Sequence, residues 1–118
     1  MIMTNIALYL IVLRSGDLER AATFYERLGL RFSRHRHGNG PEHLSAELSG
    51  GVFELYPLAG SRASTLGTHI GFRVPSVDAA LSALNDYPDA VLTPATDSEW
   101  GRRAVVTDPD GHRVELLQ

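Results

Sequence analysis

The sequence predicts an α+β fold of two βαβββ modules in tandem, within one domain of residues 1–118. Three observations predict it. Strand-like and helix-like segments occur in the same order twice. The two halves can be laid over one another, with matching helix caps and matching polar intruders in their strands. The length suits one compact domain that buries a real core.

The elements follow in order. "NIALYLIVLR" (5–14) is rich in Ile, Leu, Val and Tyr and reads as a strand. In "SGDLERAATFYERLG", Asp17 caps a helix, and Leu18, Ala21, Ala22, Tyr25 and Leu28 recur at helical spacing. Gly29 fits the position that ends it. Three strand-like pieces follow: "LRFSRHR" (30–36), "HLSAEL" (43–48) and "VFELYPL" (52–58). Turn residues Gly38–Pro41 and Gly50-Gly51 separate them. A loop rich in Gly, Ser, Ala and Thr, residues 59–66, links module 4–58 to module 67–118. "THIGFRV" (68–74) reads as a strand. "PSVDAALSALNDYP" is a helix capped by Ser76, with Val77, Ala80, Leu81, Leu84 and Tyr87 on one face. "AVLTPA", "RRAVVTD" and "HRVELLQ" finish the second module as strands.

The repeat is visible in register. At an offset of 59, Ile11 meets Ile70, Arg14 meets Arg73 and Asp17 meets Ser76. At an offset of 61, Glu54 meets Glu115. Each glutamate interrupts an otherwise apolar strand. A buried unpaired carboxylate costs several kcal/mol, roughly, so each needs exposure or a partner. Strand alternation puts His69, Gly71 and Arg73 on one face, opposite Ile70, Phe72 and Val74. Glu115 shares its face with Arg113 and Leu117. One histidine and two carboxylates suit a divalent metal such as Zn, Ni, Mn or Fe. The competing reading pairs the glutamates with Arg14, Arg73 or Arg113.

Composition excludes some functions. A net charge of −3 argues against a nucleic-acid partner. The local cluster "RFSRHRHG" (31–38) is either a small anion site or a solvated strand face. No cysteine is present, so there is no disulfide framework or thiolate chemistry. The apolar run Ile6–Leu13 is too short to span a bilayer. A cytoplasmic protein without a membrane partner is the expectation. No Ser-His-Asp arrangement or phosphate loop is present. "DPDG" (108–111) is turn chemistry, not catalysis.

"SGDLERAATFYERLGL", "THIGFRVPSVDAAL" and "DPDGHRVELLQ" together resemble the vicinal oxygen chelate superfamily, also called the glyoxalase/bleomycin resistance/extradiol dioxygenase superfamily. The resemblance spans essentially the whole chain. It implies curved mixed sheets around a cleft, and a homodimer. In metal-dependent members of the family, ligands come from the first and last strands of both modules. Carried over, those positions are Glu54, His69 and Glu115, with Leu10 at the fourth. Leucine cannot coordinate, so a four-ligand site is not intact. His35, His37 and His43 are the histidines that could substitute. The primary expectation is a small-molecule-binding protein that holds an aromatic or natural-product-like ligand in a metal-free cleft. Leu10, Tyr56, Arg73, Trp100 and Arg102 are its ligand-binding candidates. The alternative is a divalent-metal-dependent lyase, isomerase or hydrolase using Glu54, His69 and Glu115, with Glu115 and His69 catalytic.

Overall fold

The computed structural model describes residues 2–59 and 63–118. Residues 60–62 of the linker lie outside the described residues. The elements are β1 (Leu10–Ser15), α1 (Leu18–Arg27), β2 (Phe32–His35), β3 (His43–Leu48), β4 (Gly51–Pro57), β5 (His69–Arg73), α2 (Val77–Ala83), β6 (Val91–Ser98), β7 (Gly101–Thr107) and β8 (Arg113–Leu117). They form two four-stranded mixed sheets of equivalent order, β1-β4-β3-β2 and β5-β8-β7-β6. In each, the first and last strands pair in parallel and the other pairs are antiparallel. Leu10 stands opposite Val52, and His69 stands opposite Arg113. Those are the offsets of 59 and 61 read from the sequence, now visible as strand register.

Both helices start at their expected caps. The Asp17 carboxylate accepts from the Arg20 amide at 3.1 Å, and the Ser76 hydroxyl accepts from the Ala79 amide at 3.1 Å. α1 ends in a left-handed glycine turn: Gly29 has φ of 110°, and the amides of Gly29 and Leu30 donate to the carbonyls of Glu26 and Tyr25. α2 is shorter than its apolar periodicity implies. Its last carbonyls are taken up by the tight turns of Leu84, Asn85 and Tyr87, and Pro88 draws Tyr87 away from helical backbone.

Two strands also differ from expectation. β1 starts at Leu10 rather than Asn5. Its partner β4 begins only at Gly51, so the residues before it have no ladder to join, and Ile6 and Leu8 stay exposed. Gly51 lies so close to the chain at Tyr9 that a Cβ there would sit 2.7 Å from the Tyr9 carbonyl oxygen. β6 runs on to Ser98, with register shifts on either side of Thr93. Pro94 is tolerated there because β6 is an edge strand.

The helices cover one face of the sheets, and the sheets do not stack face to face. The shortest dimension, 24 Å, is one helix layer on one sheet layer with their side chains. The core joins the two halves through an aromatic cluster. Tyr25 of α1 packs edge-on against Phe53 of β4 at 4.8 Å and Phe72 of β5 at 6.1 Å. Phe53 and Phe72 lie 5.4 Å apart.

A buried polar hub closes the seam. One oxygen of Asp108 accepts from the amides of Asp110, Gly111 and His112. The other accepts from the Tyr25 hydroxyl at 2.6 Å and faces His112 Nδ1 at 2.8 Å. The Thr65 hydroxyl accepts from the Arg14 amide at 2.9 Å and lies 2.7 Å from His112 Nε2.

Burial, and then the Asp108 charge, hold the Tyr25 hydroxyl far above the ordinary tyrosine range. Asp108→Ala should cost about 3–5 kcal/mol in urea unfolding, because it strands several buried donors. The folded-state value for Tyr25 exceeds the unfolded value of about 10, so stability is complete below about pH 10 and falls as pH rises beyond it. The chain has no lysine to add its own alkaline titration. Tyr25→Phe should flatten this alkaline slope in denaturation midpoints measured against pH.

Candidate functional site

The face that the helices leave open carries the chemistry. Alternation along β5 buries Ile70 and Val74 and leaves His69 and Arg73 exposed. Alternation along β8 buries Val114 and Leu116 and leaves Glu115 half-buried on the open face. Gly71 stands opposite Glu115 and adds no side chain between them. His69 Nε2 lies 3.7 Å from Glu115 Oε1, and Arg103 of β7 binds the same oxygen at 2.6 Å. Arg103 was not anticipated from the sequence. Its signal was the β7 alternation, which puts it on the same face as Val105, the residue opposite Glu115. The arginines proposed as partners for Glu115, Arg73 and Arg113, are not the ones that pair with it.

On the first sheet, Glu54 accepts a hydrogen bond from the Ser45 hydroxyl directly across the strand pair. His43 Nε2 lies 3.8 Å from Glu54 Oε2 and 3.5 Å from the Tyr56 hydroxyl. Tyr56 stacks flat on His43 at 4.2 Å, and the Arg14 guanidinium lies over the Tyr56 ring at 5.2 Å. Arg14 thus meets Tyr56 rather than Glu54.

The expected metal positions are thereby divided between two local groups, Glu54 with His43 and Glu115 with His69. Among the described residues, one set of three acidic or histidine side chains brings its donor atoms within 4.8 Å of one another: Asp108, Asp110 and His112. Its donors are already engaged. Asp108 is the hub described above, Asp110 accepts from the Gly16 amide at 3.0 Å, and His112 bridges Asp108 and Thr65. Those hydrogen bonds build the 108–111 turn and tie it to the seam.

Two cavities bear on binding. One, of about 550 Å³, lies between β1, the β3–β4 turn and β5, and both Leu10 and His69 line it, with Tyr9, Ile11, Leu48 and Phe72. The other, of about 650 Å³, lies on the open face of the first sheet and is lined by Arg31, His35, His37, Ser45, Glu47 and Glu54 among others. Trp100 and Arg102 line neither. Trp100 sits exposed at the β6–β7 turn, and Arg102 is held by Asp78 of α2 at 3.1 Å and Asp97 at 3.0 Å. These acidic partners raise the Arg102 pKa further. Within the "RFSRHRHG" cluster, Arg34 is ion-paired with Glu19 and Glu42, and Arg36 lies 3.9 Å from Glu42.

The architecture defines a paired-module protein with one polar glutamate on the last strand of each sheet. The family model of the glyoxalase/bleomycin resistance protein/dioxygenase superfamily matches residues 7–116, and the chain belongs to that superfamily. A probable lactoylglutathione lyase of Vibrio parahaemolyticus serotype O3:K6 (strain RIMD 2210633) is 31% identical over 128 residues, covering 98% of this chain and 93% of the relative. Two solved structures are similar throughout. TnmS3, an antibiotic binding protein from Streptomyces sp. CB03234, has a TM-score of 0.76 and 25% identity, covering 98% of each chain. A glyoxalase/bleomycin resistance protein from the same organism has a TM-score of 0.72 and 26% identity, covering 95% of this chain and all of that one. No helix among the described residues is long and apolar enough to cross a membrane.

The Arg103–Glu115 pair is about one-third exposed. Arg103→Met should therefore cost no more than about 1 kcal/mol in urea unfolding. A larger loss would make the pair a structural tie rather than part of an open site.

Proposed function

We propose that the protein binds a small, largely apolar molecule of aromatic or natural-product character, without a four-ligand metal centre. The observation that carries this reading is the cavity shared by Leu10 and His69. Leucine stands where the equivalent strand of the second sheet has histidine, so this wall is apolar and the other offers one polar contact. Sites for small organic ligands have this character: mostly apolar lining with a few directed polar groups. The carboxylates fit the same reading, since Glu54 has Ser45 and Glu115 has Arg103 as protein partners. The similarity to an antibiotic binding protein supports the ligand class. A homodimer belongs to this proposal: Ile2, Met3, Ile6, Leu8 and Tyr9 are exposed apolar side chains, of which Leu8 and Tyr9 line the cavity, and they are suited to cover by a second copy.

The second reading, a metal-dependent lyase, rests on the His69–Glu115 distance of 3.7 Å and on the probable lactoylglutathione lyase relative. There His69 and Glu115 would hold a Zn, Ni, Mn or Fe ion, together with Glu54 if a second chain brought it near. The ion would supply Lewis acidity toward adjacent substrate oxygens.

Displacement of an apolar fluorescent dye by planar aromatic compounds tests the first reading. Metal-free protein should bind them, and Leu10→Asp should weaken binding about tenfold or more by placing a charge in the apolar wall. If instead glutathione hemithioacetal turnover requires metal and disappears in Glu115→Gln and His69→Ala, the lyase reading replaces it. Leu10→His should raise metal affinity sharply if Glu54, His69 and Glu115 address a common centre. An unchanged affinity would show that they do not.

A further inference from the structure

The carboxylate at the centre of the second sheet's open face is outnumbered by cations that the binding reading leaves unused. Strand register sets His69, Gly71 and Arg73 of β5 beside Arg113, Glu115 and Leu117 of β8, and these beside Thr107, Val105 and Arg103 of β7. Three guanidiniums therefore share this face with one carboxylate, in a chain whose net charge is −3. Arg103 takes that carboxylate at 2.6 Å. Arg73 and Arg113 are exposed, and among the described residues neither is paired with a carboxylate.

Arg73 has apolar surface on one side and a cavity on the other. Leu117 stands directly between Arg73 and Arg103, and with strands about 4.8 Å apart the two arginine Cα atoms lie roughly 10 Å from one another. Val105, on the same face, is 5% exposed and lies outside the core that the helices cover. Gly71 and His69 line the cavity shared with Leu10, and Arg73 is the next residue of that face beyond the cavity wall. Gly71 does not have a left-handed backbone, and a Cβ there would meet its nearest neighbours at 3.8 Å, ordinary contact. The backbone therefore does not require glycine at this position. What its absent side chain does is leave the surface between the cavity and Arg73 bare, over a distance of roughly 7 Å along the strand.

We propose that the ligand of this cavity is an aromatic carboxylic acid, with its ring system in the cavity and its carboxylate carried across Gly71 to Arg73. The proposal rests on the small-molecule reading of the cavity and adds the charge of its ligand. A planar guanidinium matches a carboxylate with two parallel hydrogen bonds, and Arg73 has no protein carboxylate to give up first. Arg103 acts indirectly. It cancels the charge of Glu115, which otherwise repels an acid passing over Gly71, the residue directly opposite Glu115.

The probes are 2-naphthoate and its neutral isostere 2-naphthamide, titrated into the full, metal-free chain and followed by backbone amide shifts in NMR spectra. Both should shift Leu10, His69 and Gly71, and naphthoate should bind about fivefold or more tightly than naphthamide. Arg73→Met keeps the apolar stem of an exposed side chain, and it should bring naphthoate down to the affinity of naphthamide. Arg103→Met should also weaken naphthoate, and Glu115→Gln added to Arg103→Met should restore it, a rescue that a merely structural role of Arg103 does not produce. Equal affinity of the wild type for the two probes overturns the proposal and leaves the cavity reading standing. Binding of neither probe overturns both. A preference for naphthoate that survives Arg73→Met puts the anion elsewhere and overturns the assignment to Arg73.

Discussion

The carboxylate of Asp108 is the interaction on which the arrangement of the two sheets depends. It is buried, and it takes five donors from three parts of the chain: its own turn, His112 at the start of β8, and Tyr25 of α1. A buried charge survives only when its surroundings satisfy it this fully. Satisfying it brings α1 of the first half against the end of the second sheet. His112 passes the connection to Thr65, and Thr65 to the Arg14 amide, so the end of the linker is clipped between β1 and β8. The aromatic cluster of Tyr25, Phe53 and Phe72 then fills the seam. With the halves fixed side by side rather than face to face, one side of each sheet stays open.

The open faces are equivalent in backbone and different in chemistry. Beside Glu115 stands Gly71, and beside Glu54 stands Val12. The missing side chain at Gly71 leaves room for Glu115 to reach both His69 and Arg103. The valine occupies that room in the first sheet, so Glu54 turns toward β3 and meets Ser45 and His43. The same strand register therefore gives two local environments. One is an ion-paired carboxylate next to an exposed histidine. The other is a hydrogen-bonded carboxylate next to a buried histidine.

Much of this was legible in the sequence, for identifiable reasons. Caps at Asp17 and Ser76, the glycine at 29 and the period-two alternation around His69 and Glu115 act locally, so they reveal themselves in short stretches. The partners of the glutamates did not. Arg103 reaches Glu115 from the neighbouring strand, and Ser45 reaches Glu54 across an antiparallel pair, contacts fixed by register rather than by neighbours in sequence. Element ends failed where tertiary context decides them. β1 starts at Leu10 because β4 offers no earlier partner, and α2 stops at Ala83 because the following turns and Pro88 take over. Trp100 and Arg102 look like pocket residues in a linear reading. The β6–β7 turn carries Trp100 outward, and α2 supplies Asp78 to hold Arg102.

The opposite conditions around the two glutamates decide where a cation can go. The Arg103 guanidinium already neutralises Glu115 at 2.6 Å. A divalent ion arriving there must displace that guanidinium or face its repulsion at close range, where an interaction between unit charges at 4 Å is worth about 4 kcal/mol near a protein surface. Arg103 thus already supplies the positive charge beside Glu115. Glu54 has no such competitor: among the described residues its close polar neighbours are a hydroxyl and a histidine. The two carboxylates therefore differ in charge balance: Glu115 is paired with a guanidinium, and Glu54 is held by a neutral hydroxyl beside His43.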